Sequence, residues 1–211
     1  MRYIIVGTGP SVGELTKKKL SLRDDVKIIA VNTAPSFLKE YDLWITVDPS
    51  PRNIRYASDA IKSGRDAVFV LGDNPVRLPS ESVVMRRVVS SNPIPMKPQT
   101  PSEWFDRWQC VPGLSRTVGY LHTGNSVYVA LGLAYLADAE KIVILGLDGD
   151  KSPSFIENHK PRNLSHLPIL FSSAKPQLDE LGIEVVVGSP ESAVDCFTRM
   201  TPDQAIDWIN S

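Results

Sequence analysis

The sequence predicts an α/β protein, Rossmann-like, with a mostly parallel sheet and helices on both faces. Three observations carry this. Six short apolar runs bounded by polar or turn residues fall at 3–6, 28–31, 43–47, 67–71, 142–147 and 183–187, and read as buried strands. Helix-like segments lie between them near 12–20, 35–40, 52–63, 125–138, 169–181 and 202–210, the alternation that builds parallel sheets. The first run ends in Gly7-Thr8-Gly9-Pro10-Ser11 and a helix start, the kind of turn at which backbone N–H groups converge on an anion.

That turn is specific enough to exclude some ligands. Its spacing is G-x-G-x-x-x-G rather than the G-x-G-x-x-G of dinucleotide folds, and Asn32 stands after the second run where NAD binders carry Asp or Glu. It also lacks the Lys-Ser/Thr of a P-loop. The bland alternative is that Gly7 and Gly9 only let the chain turn sharply.

Later elements follow in order. Asn32-Thr33 ends the second run, Asp48-Pro49-Ser50-Pro51 the third, Gly72-Asp73-Asn74-Pro75 the fourth and Asp148-Gly149-Asp150 the fifth. In α/β sheets ligands sit beyond the carboxyl ends of the strands, so these positions are the candidate binding edge. Each is equally at home as a turn or cap residue.

The alternation breaks over 75–118, which holds seven of the 17 prolines together with Trp104, Phe105 and Trp108, and reads as an insertion or lid within a single domain. Residues 82–89 alternate within it and predict an extra strand. The aromatic residues could contact an acceptor or simply pack.

A helix that is apolar nearly all round follows Thr123-Gly124-Asn125-Ser126, so it should be central and buried with its N-terminus at the ligand edge. These four residues are a second candidate phosphate cluster. The polar stretch after the fifth run holds His159 and His166, two of only three histidines, and histidine is the natural general base near neutral pH. Lys151, Lys160 and Arg162 could neutralise phosphate there.

Composition narrows the class further. The chain has 211 residues, enough for one domain with a proper core. Its 23 basic and 24 acidic residues provide no broad positive field, which argues against gripping nucleic acid by charge. Cys110 and Cys196 have no disulfide or zinc spacing, in keeping with a reducing compartment. With no export signal and no apolar run of membrane-spanning length, a cytoplasmic location is expected. A homo-oligomer is compatible with the sequence.

Taken in order, "YIIVGTGPSV", "IIAVNTA", "DLWITVDPSP" and "TGNSVYVALGLAYLADAEKIVILGLDGD" resemble the bacterial sialyltransferase-like proteins and motility-associated glycosyltransferases, to which the 6-hydroxymethylpterin pyrophosphokinases are related. The resemblance covers most of the chain outside 75–118. It implies a glycosyltransferase that takes a sugar from a nucleotide-activated, CMP-linked donor to a hydroxyl acceptor. In it, Gly7, Thr8, Gly9, Pro10, Ser11, Asn32, Asp48, Thr123, Gly124, Asn125, Ser126 and Asp148 would bind the nucleotide. His166 would be the base, favoured over His159 because it precedes the last helix and strand before Pro190-Glu191-Ser192. The chain departs from the family in having no tyrosine after Tyr135, where sialyltransferases stabilise the departing phosphate.

The leading reading needs no cofactor. The related pyrophosphokinases imply instead diphosphate transfer from ATP to a hydroxymethylpterin-like molecule, with Mg²⁺ on Asp48, Asp148 or Asp150. A third reading is a non-catalytic nucleotide-binding module that signals through 91–112.

Overall fold

A computed structural model describes residues 1–17, 20–73, 76–149 and 163–211. Asp150 and His159 lie outside the described residues, as do Asn74, Lys151, Lys160 and Arg162.

The β-branched runs form the strands because their side chains alternate onto two buried faces. In chain order these are β1 (Arg2–Val6), β2 (Val26–Val31), β3 (Leu43–Thr46), β4 (Asp66–Leu71), β5 (Val83–Val88), β6 (Tyr120–His122), β7 (Lys141–Leu145), β8 (Glu184–Val187) and β9 (Thr198–Arg199). They pair in the order β6-β5-β4-β3-β2-β1-β7-β8-β9, and every described pairing is parallel. The helices are α1 (Pro51–Lys62), α2 (Pro101–Arg107), α3 (Ser126–Leu136), α4 (Leu167–Glu180) and α5 (Pro202–Asn210).

Odd and even positions of the strands feed separate cores. Ile5, Ile29, Ile45, Val68 and Ile144 face α3 and α4, whereas Ile4, Ile28, Trp44, Phe69 and Val143 face α1 and α5. The expectation of helices on both faces is met. Helix α3 is buried nearly all round, as its unbroken apolar composition requires.

Two predicted helices are shorter and tighter. Residues Pro10–Lys17 form a 3-10 helix, with Pro10 at its start and Gly13 within it, and Ala34–Ser36 a single 3-10 turn around Pro35. Proline and glycine start and loosen these segments, and neither supports a long α-helix.

The strand expected at 82–89 is β5. Strands β6 and β9 and helix α2 are additions, the strands being only three and two residues long. The segment read as an insertion or lid therefore gives one strand to the sheet and one helix, α2, against α4. Its end is fastened to the body. Gly113 N–H donates to Ser173 Oγ at 2.9 Å, Gln177 Nε2 donates to Leu114 O at 2.9 Å, and Gly113 O accepts from Tyr128 Oη at 2.7 Å and His122 Nδ1 at 2.8 Å.

Strand order reverses at β1, with β2 on one side and β7 on the other. The crevice beyond β1 and β7 is thus the switch point where α/β sheets bind ligands. Among the described residues no helix is long and apolar enough to cross a membrane.

Candidate functional site

The glycine turn lies at that crevice, and the N–H groups of Gly7, Gly9, Ser11 and Val12 are engaged within the protein. Gly7 N–H donates to Leu145 O at 2.8 Å, Gly9 N–H to Gly146 O at 3.0 Å and Val12 N–H to Gly9 O at 3.3 Å. Pro10 has no N–H. Ser11 donates to Asp148 Oδ2 through both its N–H, at 3.2 Å, and its hydroxyl, at 3.1 Å. Asp148 also accepts from Ser189 Oγ at 2.6 Å through Oδ1.

A carboxylate of the chain itself thus fills the place where an anion would meet this turn. Buried to 9% exposure, Asp148 is satisfied by donors from the β1 and β8 loops and ties the two sides of β7 together. Gly9 is demanded by this close approach. A Cβ there would overlap Asp148 Oδ2 and stand 2.7 Å from Gly146 O. The close approach of β1 and β7 at Gly9 is thus accompanied by a carboxylate that accepts from Ser11.

Asn32 and Asp48 meet in a second network. Asn32 adopts φ 53°, a left-handed conformation that asparagine tolerates better than most residues, and its Oδ1 accepts from Thr46 Oγ1 at 2.7 Å. Asp48 N–H donates to the same hydroxyl at 3.1 Å, and Asp48 Oδ1 accepts from Ser50 N–H at 3.1 Å. The two residues close the β2 and β3 loops. Asp73, at the end of β4, pairs with Arg86.

Asp48 and Asp148 follow β3 and β7, which are separated by β2 and β1. At about 4.8 Å per strand spacing they stand roughly 14 Å apart along the sheet, too far to share one ion. Among the described residues no three His, Cys, Asp or Glu side chains gather as a metal site.

The other cluster is arranged differently. Asn125 caps α3, its Oδ1 accepting from Val127 N–H at 2.7 Å. Thr123 and Ser126 are buried, and Gly124 between them has φ 151°, with Cys110 Sγ 2.7 Å and Leu170 Cδ2 2.6 Å from where its Cβ would be. Only glycine fits between Cys110 and α4.

His166 enters this cluster from the start of α4. It occupies the N-cap position without making a side-chain cap, and is 1% exposed. Its Nε2 lies 3.4 Å from Gly124 O. A carbonyl oxygen only accepts, so Nε2 carries the hydrogen of the neutral ring and Nδ1 keeps a lone pair. Nδ1 is buried, with no hydrogen-bond partner among the described residues.

Burial pushes the His166 pKa down to about 4, against a smaller opposing effect of the Gly124 carbonyl. The ring is therefore neutral at pH 7. Trp108 lies over it at a centroid distance of 6.2 Å, tilted 31°, and is itself 37% exposed. Gly149 approaches Leu167, the first residue of α4.

The structure thus joins Thr123–Ser126 to His166, joins Ser11 to Asp148, and joins Asn32 to Asp48. Sequence reading missed Ser189, although it directly follows Gly188 at the end of the sixth apolar run and inspection of that run's end would have found it. Cys110 gave no signal, since its contact with Gly124 depends on how the chain before α3 packs on the helix start. No family model matches the chain, and no curated protein or solved structure is significantly similar to it. Fold and site define an α/β protein with a parallel Rossmann-like sheet and three polar clusters at its carboxyl edge.

Proposed function

We propose that the protein is a glycosyltransferase of the sialyltransferase-like type, moving a sugar from a CMP-linked donor to a hydroxyl acceptor. The observation that carries this reading is His166: a buried, neutral imidazole with an unpartnered Nδ1, placed against the approach to α3 at the carboxyl edge.

A base must hold a free lone pair before reaction, and Nδ1 has one. The Gly124 carbonyl fixes the tautomer by accepting from Nε2–H. Nδ1 takes the acceptor's proton as the hydroxyl oxygen attacks the sugar carbon, and the nucleoside phosphate departs with the bonding electrons. Helix N-termini favour anions, so the start of α3 is the place for that phosphate. The phosphate's charge in turn favours the imidazolium, raising the basicity of a ring that burial alone makes weak.

This assigns the donor phosphate to Thr123–Ser126 rather than to the Gly7–Ser11 turn, whose Ser11 donors Asp148 already takes. Trp108 covers the ring from the outer side and would pack on the acceptor.

The test is transfer from CMP-linked sugars to a panel of hydroxyl acceptors. His166→Asn should lower turnover by about 10²–10⁴-fold while donor affinity holds within a few-fold. Full turnover by the variant removes His166 from the reaction.

A further inference from the structure

Arg86 and Arg87 are neighbours on β5 with opposite fates. Arg86 points to one face and pairs with Asp73. Arg87 points to the other, the face of Met85 in the core beneath α3. It is half-buried, its Nε is buried without a hydrogen-bond partner, and among the described residues no carboxylate pairs with it.

An arginine in this situation is costly. Its guanidinium stays charged in proteins, and burial without a counter-charge is disfavoured. Desolvation does lower the Arg87 pKa, with the Cys110 thiol the group that acts back on it. Arg87 is thus a half-buried cation with no carboxylate partner among the described residues, able to meet an anion.

Its position says which ligand. Arg87 pairs with Leu121 across the ladder, and the next residue, Val88, accepts from Thr123 N–H at 3.1 Å. Cys110, the group in electrostatic reach of Arg87, packs directly on Gly124, whose carbonyl faces His166. Arg87 is thus linked through Cys110 and Gly124 to His166.

We propose that Arg87 is the oxyanion anchor of this site, receiving a phosphate oxygen of the nucleotide donor opposite the Thr123–Ser126 turn. This rests on the transferase reading for the identity of the nucleotide, though not for the anion. Guanidinium matches phosphate in a bidentate fork, which the backbone N–H groups of a helix start cannot do alone. Placed there, the anchor would hold the phosphate beside the imidazole that takes the proton.

The experiment compares wild type with Arg87→Met and Arg87→Lys by calorimetric titration of CMP, cytidine, N-acetylneuraminate and inorganic pyrophosphate, and by thermal melting without ligand. Wild type should bind CMP at least tenfold more tightly than cytidine, and Arg87→Met should erase that difference while leaving cytidine unchanged. Arg87→Lys, which keeps the charge but not the fork, should recover part of it. The unliganded Met variant should melt no lower than wild type, because an unpaired, half-buried charge has been removed.

If Arg87→Met instead weakens N-acetylneuraminate and spares CMP, the anion is a sugar carboxylate, and the donor phosphate is not held here. If wild type binds pyrophosphate through Arg87 but no nucleotide, the transferase reading fails and the anchor stands. Unchanged binding of every anion by Arg87→Met, or a drop in unliganded melting temperature shared by the Lys variant, makes Arg87 a structural residue and overturns the proposal.

Discussion

Titrating His166 gives the sharpest test of how the site is built. The ring is 1% exposed and its pKa falls from 6.5 to about 4 because the charged form is desolvated. Protonation is then easier in the unfolded chain than in the native one. The stabilisation is fully present above pH 6.5, declines as pH falls below it, and is gone below about pH 4. A shift of this size corresponds to about 3 kcal/mol in full, of which about 2 kcal/mol is lost between pH 7 and pH 4.5.

Urea unfolding of wild type and His166→Gln at those two pH values isolates this contribution, since the remaining titrations are common to both. Wild type should lose about 2 kcal/mol more than the variant. Proton NMR of the His166 ring should follow the same group directly, with no titration until the pH is well below 6. A His166 pKa within a unit of 6.5, or equal losses in the two proteins, would refute the buried neutral ring and with it the tautomer fixed by Gly124.

Other predictions concern the switch point. Gly9→Ala drives a methyl group into Asp148 Oδ2 and Gly146 O, so it should destabilise the fold by about 1–3 kcal/mol in urea unfolding; an unchanged midpoint contradicts the close approach of β1 and β7. Asp148→Ala strands the Ser11 N–H and the Ser189 hydroxyl, at a cost of about 1–3 kcal/mol. If Asp148→Ala is neutral in stability and CMP affinity falls, the carboxylate serves the ligand rather than the fold.

Much of the architecture was legible because alternating burial is written into the strands. Ile4 and Ile5, or Ile28 and Ile29, must face opposite layers, and the sequence periods reveal both strands and their two-sided cover. Strands β6 and β9 were not legible, because two or three residues carry no period and hold their places only through neighbours in the sheet. The segment before α3 was hidden for a related reason. Its fastening depends on Gly113, Ser173 and Gln177, which are far apart in the chain and unremarkable one at a time.

Reading residues after each strand found Asp148 and Asn32, and the start of the apolar helix gave Thr123, but not their hydrogen-bond partners. An aspartate at a strand end looks the same whether it awaits a ligand or accepts from Ser11 and Ser189. The glycine turn suggested a phosphate by its composition, which does not reveal the Asp148 carboxylate that accepts from Ser11. His166 was visible by residue type and place; its burial and its unpartnered nitrogen arise from the packing of α4 against Gly124 and Trp108.

The central claim is that the cluster around α3 and His166 binds a cytidine nucleotide. It is tested most directly by thermal shift of the purified protein with CMP, CDP, UDP, GDP, ATP and NAD, each with and without Mg²⁺. At about one hundred times its dissociation constant a ligand adds roughly 2.7 kcal/mol, a readily measured shift. The account predicts stabilisation by CMP or CDP that needs no metal and is lost in Arg87→Met. Stabilisation by ATP only with Mg²⁺, or by NAD alone, would contradict it.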